Sequence, residues 1–166
     1  MKGIKSYMIA GILFVSVLGT LLHFAYAFSG DNFFVGLFTP VNESTWEHTK
    51  LIYFPMLVYS FYLNKKLKGT YPCIYSATLT GGLLGVLLII ALFYTYTGII
   101  GFNVDFVNIA IFLISVIIAF YVVYKLTLYC KAEKFKLLLQ ILNIVMIYLF
   151  IHFTYNPPGI SLFANP

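Results

Sequence analysis

The sequence predicts an all-α protein, a polytopic membrane bundle of about five transmembrane helices with its N-terminus inside and its C-terminus outside. Three observations lead there. The chain is 61% hydrophobic and only 9% charged, where a soluble domain would carry roughly 25% charged residues. Runs of about 20 apolar residues recur along it, the length that crosses about 30 Å of hydrocarbon at about 1.5 Å per residue. Of the ten basic residues, all lysine, nine gather on one side of those runs. Because backbone groups in lipid must satisfy one another within the segment, the runs must be helices.

Taken in order, the spans are expected at 7–28, 45–63, 73–96, 106–129 and 137–155, within a single domain covering 1–166. Before the first span stand Lys2 and Lys5, and it closes on Ala25-Tyr26-Ala27. That arrangement resembles a secretory signal, but the apolar stretch exceeds the usual core of about 7–15 residues, so the span is expected to be retained. Ser29-Gly30-Asp31-Asn32 reads as a helix stop and turn. The apolar group Phe33 to Phe38 that follows is too short to cross and is expected in the outer interface.

Ser44 and Glu47 have the spacing of a capping box, which starts the second span at Ser44, and Pro55 within it should kink the helix and free the Leu51 carbonyl. The third span places Ala77, Gly81 and Gly85 four residues apart, a small-residue face for close helix packing. Asn108, Ser115, Gln140 and Asn143 suit hydrogen bonds between helices. The last span ends at Asn156-Pro157-Pro158-Gly159, and the uncharged tail 160–166 is expected to lie against the outer surface.

Nine of the ten lysines fall on one side of this five-span arrangement, which the positive-inside rule makes cytoplasmic. Asp31, Glu43, Glu47, Asp105 and the tenth lysine, Lys50, fall on the other. Cys73 and Cys130 lie at cytoplasmic span ends, in a reducing compartment, and are expected as free thiols. No basic stripe interleaved with polar residues is present, so no nucleic-acid partner is expected and the lipid bilayer is the partner the composition defines.

The chemistry concentrates in residues 42–50, which hold two of the five acidic side chains, one of the three histidines and the only tryptophan. His23 lies 18 residues beyond Lys5, or about 27 Å along a rising helix, near the outer boundary. His152, 16 residues beyond Lys136, is about 24 Å up the last span and reaches the same level. His48 enters that level from outside. Imidazoles from three helices, with Glu43 or Glu47 as a further ligand or as the base that activates water, form a set that would suit zinc with an open position. Ionisable groups in membrane spans default to function. Against this, the set contains no H-E-x-x-H, and the adjacent Glu47 and His48 point about 100° apart on a helix.

Plainer readings stand beside it. Trp46, Tyr26, Tyr53, Tyr94, Tyr96 and Tyr155 can form an outer aromatic belt in which the histidines are merely wet. Glu43 and Glu47 at a helix N-terminus are favoured by the macrodipole, and Glu47 and Lys50 can pair on the surface. A hydrogen-bonded polar pocket without metal is a third reading.

The strings Leu22-His23-Phe24-Ala25-Tyr26, Val35-Gly36-Leu37-Phe38, Pro40 to Lys50 with Asn-Glu-Ser-x-Trp-Glu-His at its centre, Tyr94-Thr95-Tyr96-Thr97-Gly98 and Phe153 to Pro158 resemble a family of small bacterial multi-pass membrane proteins of unknown function. The resemblance covers essentially the whole chain. It implies a plasma-membrane protein of about five spans from Gram-positive-type bacteria, and no activity, substrate or cofactor. Two functional readings stay open. One is an outward-facing His/Glu pocket that binds a small molecule, a lipid or a metal ion, as a transporter component or accessory subunit. The other is a zinc-dependent intramembrane hydrolase of a lipid or headgroup ester.

Overall fold

The computed structural model describes residues 2–165; Pro166, which ends the tail, lies outside it. Every regular element is a helix: α1 Lys2–Phe28, α2 Phe33–Gly36, α3 Thr45–Leu67, α4 Ile74–Ile100, α5 Asp105–Tyr129 and α6 Lys136–Tyr155, with 3₁₀ turns at Glu133–Phe135 and Ser161–Phe163. The long helices run about one turn past several of the expected span ends. The stop after α1 is set by Gly30 and Asp31, both at positive φ, and Asn32 then caps α2, its Oδ1 accepting from the Phe34 and Val35 amides.

Four segments are long and apolar enough to cross a membrane: α1, α4, α5, and α6 together with its preceding turn. α3 is of comparable length but carries Glu47, Lys50, Lys65 and Lys66. It is also the most enclosed helix, with 15 of its 23 residues buried. α1, α4 and α6 pack around it, and α5 closes the far side by packing on α1 and α4. The apolar helices thus present hydrocarbon outward and shield the charged one.

Long helices that follow one another in the chain run antiparallel. Tyr7 meets Tyr62 at one end of the α1–α3 pair and His23 meets His48 at the other. The chain therefore has two chemically distinct ends. Asp31, Glu43, Glu47 and Asp105 gather at the carboxylate end; Lys65, Lys66, Lys68, Lys131, Lys134 and Lys136 gather at the lysine end.

Small residues set the closest approaches. A Cβ built on Gly85 would lie 2.6 Å from Ile52, and one on Gly81 would strike Val123, so α4 seats against both α3 and α5 through the expected face. The Pro55 ring removes the amide that would bond the Leu51 carbonyl. That carbonyl faces Gly19 of α1, where an added Cβ would lie 2.5 Å from the oxygen. The helix continues through Pro55 as one element, and the glycine lets α1 approach the freed oxygen closely, within reach of a Cα–H contact.

Polar side chains inside the bundle divide between bonds to another helix and bonds to carbonyls of their own, and the buried Ser115 hydroxyl, expected to bond between helices, has no partner among the described residues. The Tyr53 hydroxyl donates to Asn143 Oδ1 at 3.1 Å, and Asn143 Nδ2 donates to the Leu139 carbonyl at 2.8 Å. Tyr96 and Asn108 share a bond of 2.6 Å where α4 meets α5. Two expectations need correction. Trp46 and Tyr53 are buried, not members of a boundary belt: Trp46 packs on Phe150, Phe153 and, beneath the tail, Phe163. Cys73 and Cys130 are paired as a disulfide with Cα atoms 5.4 Å apart, not free, because antiparallel α4 and α5 begin and end at the same level.

Candidate metal site

The site is assembled by the N-terminus of α3 and the segment that leads into it. Ser44 is the N-cap, its Oγ accepting from the Glu47 amide at 3.4 Å, and Asn42 Oδ1 accepts from the Ser44 amide at 2.9 Å. Only half of the expected capping box forms. Glu47 does not turn back to Ser44, because its carboxylate is taken by stronger partners.

Those partners are buried. Glu47 Oε2 accepts from Lys50 Nζ at 2.7 Å and from the Val41 amide at 3.0 Å. Lys50 Nζ also reaches Thr154 Oγ1 of α6 at 2.6 Å and the carbonyls of Gly36 and Thr39 at 3.0 and 3.3 Å. The Thr154 hydroxyl donates to the Phe150 carbonyl at 2.6 Å. The two charged side chains are 0% and 2% exposed. The surface pair expected of Glu47 and Lys50 is instead an interior clamp, which ties the 36–41 segment to α3 and α6. Thr154 was not foreseen; one hydroxyl in an apolar helix gives no sign of a partner more than a hundred residues away.

Glu47 and His48 diverge around the helix as their adjacency requires. While Glu47 points inward, His48 turns toward α1. His48 Nδ1 lies 3.0 Å from the Ser44 carbonyl and Nε2 lies 3.3 Å from Glu43 Oε2. His23 Nε2 lies 3.9 Å from the same oxygen, and the two imidazoles meet edge to face with centroids 5.1 Å apart. One donor atom from each of His23, Glu43 and His48 falls within 4.8 Å of the others. Glu43 is 67% exposed, His23 34% and His48 28%, so the group opens to solvent.

His152 is placed elsewhere. It is exposed on α6, stacked on Tyr148 and tilted against Phe153, and α6 packs on α4 and α3 while His23 is on α1. Of the five candidate residues, then, the fold unites His23, His48 and Glu43, sends Glu47 into the Lys50 clamp and leaves His152 apart. Depth along a helix was readable from residue counts; the direction a side chain faces around it was not.

Chemically, two imidazoles and a carboxylate are a zinc-type donor set that leaves a fourth position open. Bonds of about 2.0–2.2 Å at tetrahedral angles need donors about 3.4 Å apart. The widest separation would have to close by up to about 1.4 Å, which partly exposed side chains achieve by small rotations. The Ser44 carbonyl gives His48 the hydrogen-bond acceptor on its other ring nitrogen that metal-bound imidazoles usually have: with the proton on Nδ1, Nε2 presents its lone pair to the site.

An all-helical chain with four helices able to cross a membrane and a solvent-open His/Glu group at one end is the class of protein the fold and site define. The chain belongs to the family of unknown function DUF6512, whose profile matches residues 1–166. No curated protein and no solved structure matches it.

Proposed function

We propose that this is a plasma-membrane protein that binds one divalent transition-metal ion, zinc being the best match, through His23, His48 and Glu43 on the outer face. The observation that carries the reading is the orientation of His48, whose Nδ1 is occupied by a backbone carbonyl while its Nε2 faces Glu43 and His23. The outward assignment rests on the lysine asymmetry. α3 then crosses as a fifth span inside its neighbours.

Binding is favoured over hydrolysis by the fate of the two carboxylates. Glu43 serves as a ligand, and Glu47 is held by Lys50 and the Val41 amide, so it is not free to activate water. The open coordination position instead suits a small anionic or neutral solute, as expected of a transporter component or accessory subunit.

Titration calorimetry of the purified full chain with zinc tests this. One equivalent is expected, lost in His48→Ala, weakened on the order of 10-fold or more in Glu43→Gln, and unchanged in His152→Ala. No uptake, or uptake indifferent to His48→Ala, overturns the reading.

A further inference from the structure

Toward the end opposite the histidines, α1 and α3 border a groove of about 590 Å³ lined by Ser6, Tyr7, Ala10, Phe14, Val58, Tyr59 and Tyr62. This volume is within the range of about 300–1,000 Å³ typical of ligand sites. The floor is fixed: the Tyr59 hydroxyl donates to the Tyr7 carbonyl at 2.8 Å, and Phe14 stacks on Tyr59 at 5.4 Å between centroids. The walls are open, with Val58, Phe14 and Tyr62 exposed. No helix of the chain covers it.

The groove continues into charge. Positions 58, 62, 65 and 66 share one face of α3, so Lys65 and Lys66 extend the Val58–Tyr62 wall by one turn toward the lysine end. Both are exposed, and among the described residues no carboxylate reaches either; the lysines paired with carboxylates there are Lys50 and Lys136 instead. Tyr7 and Tyr62 stand between the apolar part and the lysines with ring centroids 6.3 Å apart, in the position where amphipathic rings meet headgroups. An apolar slot, an aromatic collar and two unneutralised cations succeed one another along one line.

We propose that this groove binds one anionic phospholipid, an acyl chain lying against Val58, Phe14 and Ala10 and the phosphate held by Lys65 and Lys66. Charge complementarity selects this occupant: a zwitterionic lipid would fill the apolar slot but bring its own cation to the lysines, and an apolar helix of a second copy would leave them unpaired. The assignment does not depend on a metal at the His23 group.

The test is native mass spectrometry of the full chain released from nanodiscs of equimolar phosphatidylglycerol and phosphatidylcholine. Retained phosphatidylglycerol should exceed phosphatidylcholine by at least about fivefold, since each lysine near a charged lipid is worth about that factor. Lys65→Gln with Lys66→Gln should bring the ratio close to one. The control pair Lys131→Gln with Lys134→Gln, at the same end but off the groove, should leave it unchanged. Val58→Trp, which fills an exposed slot, should lower the number of lipids retained without altering the charge.

Equal retention of the two lipids overturns the proposal, as does an equal loss of preference in the control pair, which would make the attraction general to that end. A dimer abolished by Val58→Trp, without lipid selection, would assign the groove to a second copy and also overturn it. Helicity measured on every variant confirms that each is folded, and Val58→Trp provides the groove reading should the lysine pair misfold.

Discussion

Removing the cation of the interior clamp should damage the protein more than any loss of a surface charge. In Lys50→Met the side chain keeps its length and apolar stem, but the carboxylate of Glu47, 2% exposed, loses the ammonium at 2.7 Å. Thr154 Oγ1 and the carbonyls of Gly36 and Thr39 lose the same donor. Breaking one side of a buried pair costs about 3–5 kcal/mol, because a charge is left without compensation. At about 2–4 °C per kcal/mol for a chain of this size, the melting temperature in detergent should fall by about 6–20 °C. The informative comparison is the double variant Lys50→Met with Glu47→Gln. Its amide oxygen still accepts from Val41, and no buried charge is orphaned, so it should recover about 1–3 kcal/mol of the loss. Melting curves followed by circular dichroism decide it. A single variant that melts within about 1 °C of the parent, or a double variant less stable than the single, would refute the clamp as drawn.

Other outcomes follow from the same geometry. Gly19→Leu should destabilise by more than about 1–3 kcal/mol, since its side chain would enter the space of the Leu51 carbonyl and Phe112, whereas Gly98→Ala, with nothing within 4 Å, should be close to neutral. After mild oxidation of the purified chain, maleimide labelling of the denatured protein should show no free thiol until reductant is added, because Cys73 and Cys130 stand with Cα atoms 5.4 Å apart; labelling left unchanged by oxidation would contradict their pairing. Tyr53→Phe should cost about 1–3 kcal/mol by leaving Asn143 Oδ1 short of a donor inside the bundle.

The fold was legible where one variable decides it. Continuous apolar runs mark long helices irrespective of their neighbours, so five long helices, the stop at Gly30 and the break after Asn156 could be read directly from the chain. The small-residue face at Gly81 and Gly85 was equally local, since only a missing side chain permits that approach. What could not be read is what depends on which helix stands in the middle. Charges ordinarily mark the periphery, and on that rule Glu47, Lys50 and Trp46 belong to a surface; inside a ring of apolar helices they become interior. For the candidate site, counting residues placed His23 and His48 at one level and the fold brings them together, but the same count placed His152 there and it faces another way. Glu43 was the ambiguous carboxylate, and the choice between it and Glu47 depended on a lysine bond that pattern alone does not reveal.

The enclosure of α3 has a consequence for biogenesis. A segment that carries Glu47 and Lys50 near one end and Lys65 and Lys66 near the other is a poorer substrate for lateral exit into lipid than its apolar neighbours, since a charge opposes insertion by about 2.5–3.5 kcal/mol at the centre of a helix and by less toward its ends. During synthesis it would have to wait beside α1 until α4 arrives, and Thr154, the last partner of Lys50, is made only when the chain is nearly complete. A nascent chain cut before α6 should therefore leave its third helix unsettled, and membrane-integrated intermediates of increasing length should show that helix becoming protected from water last.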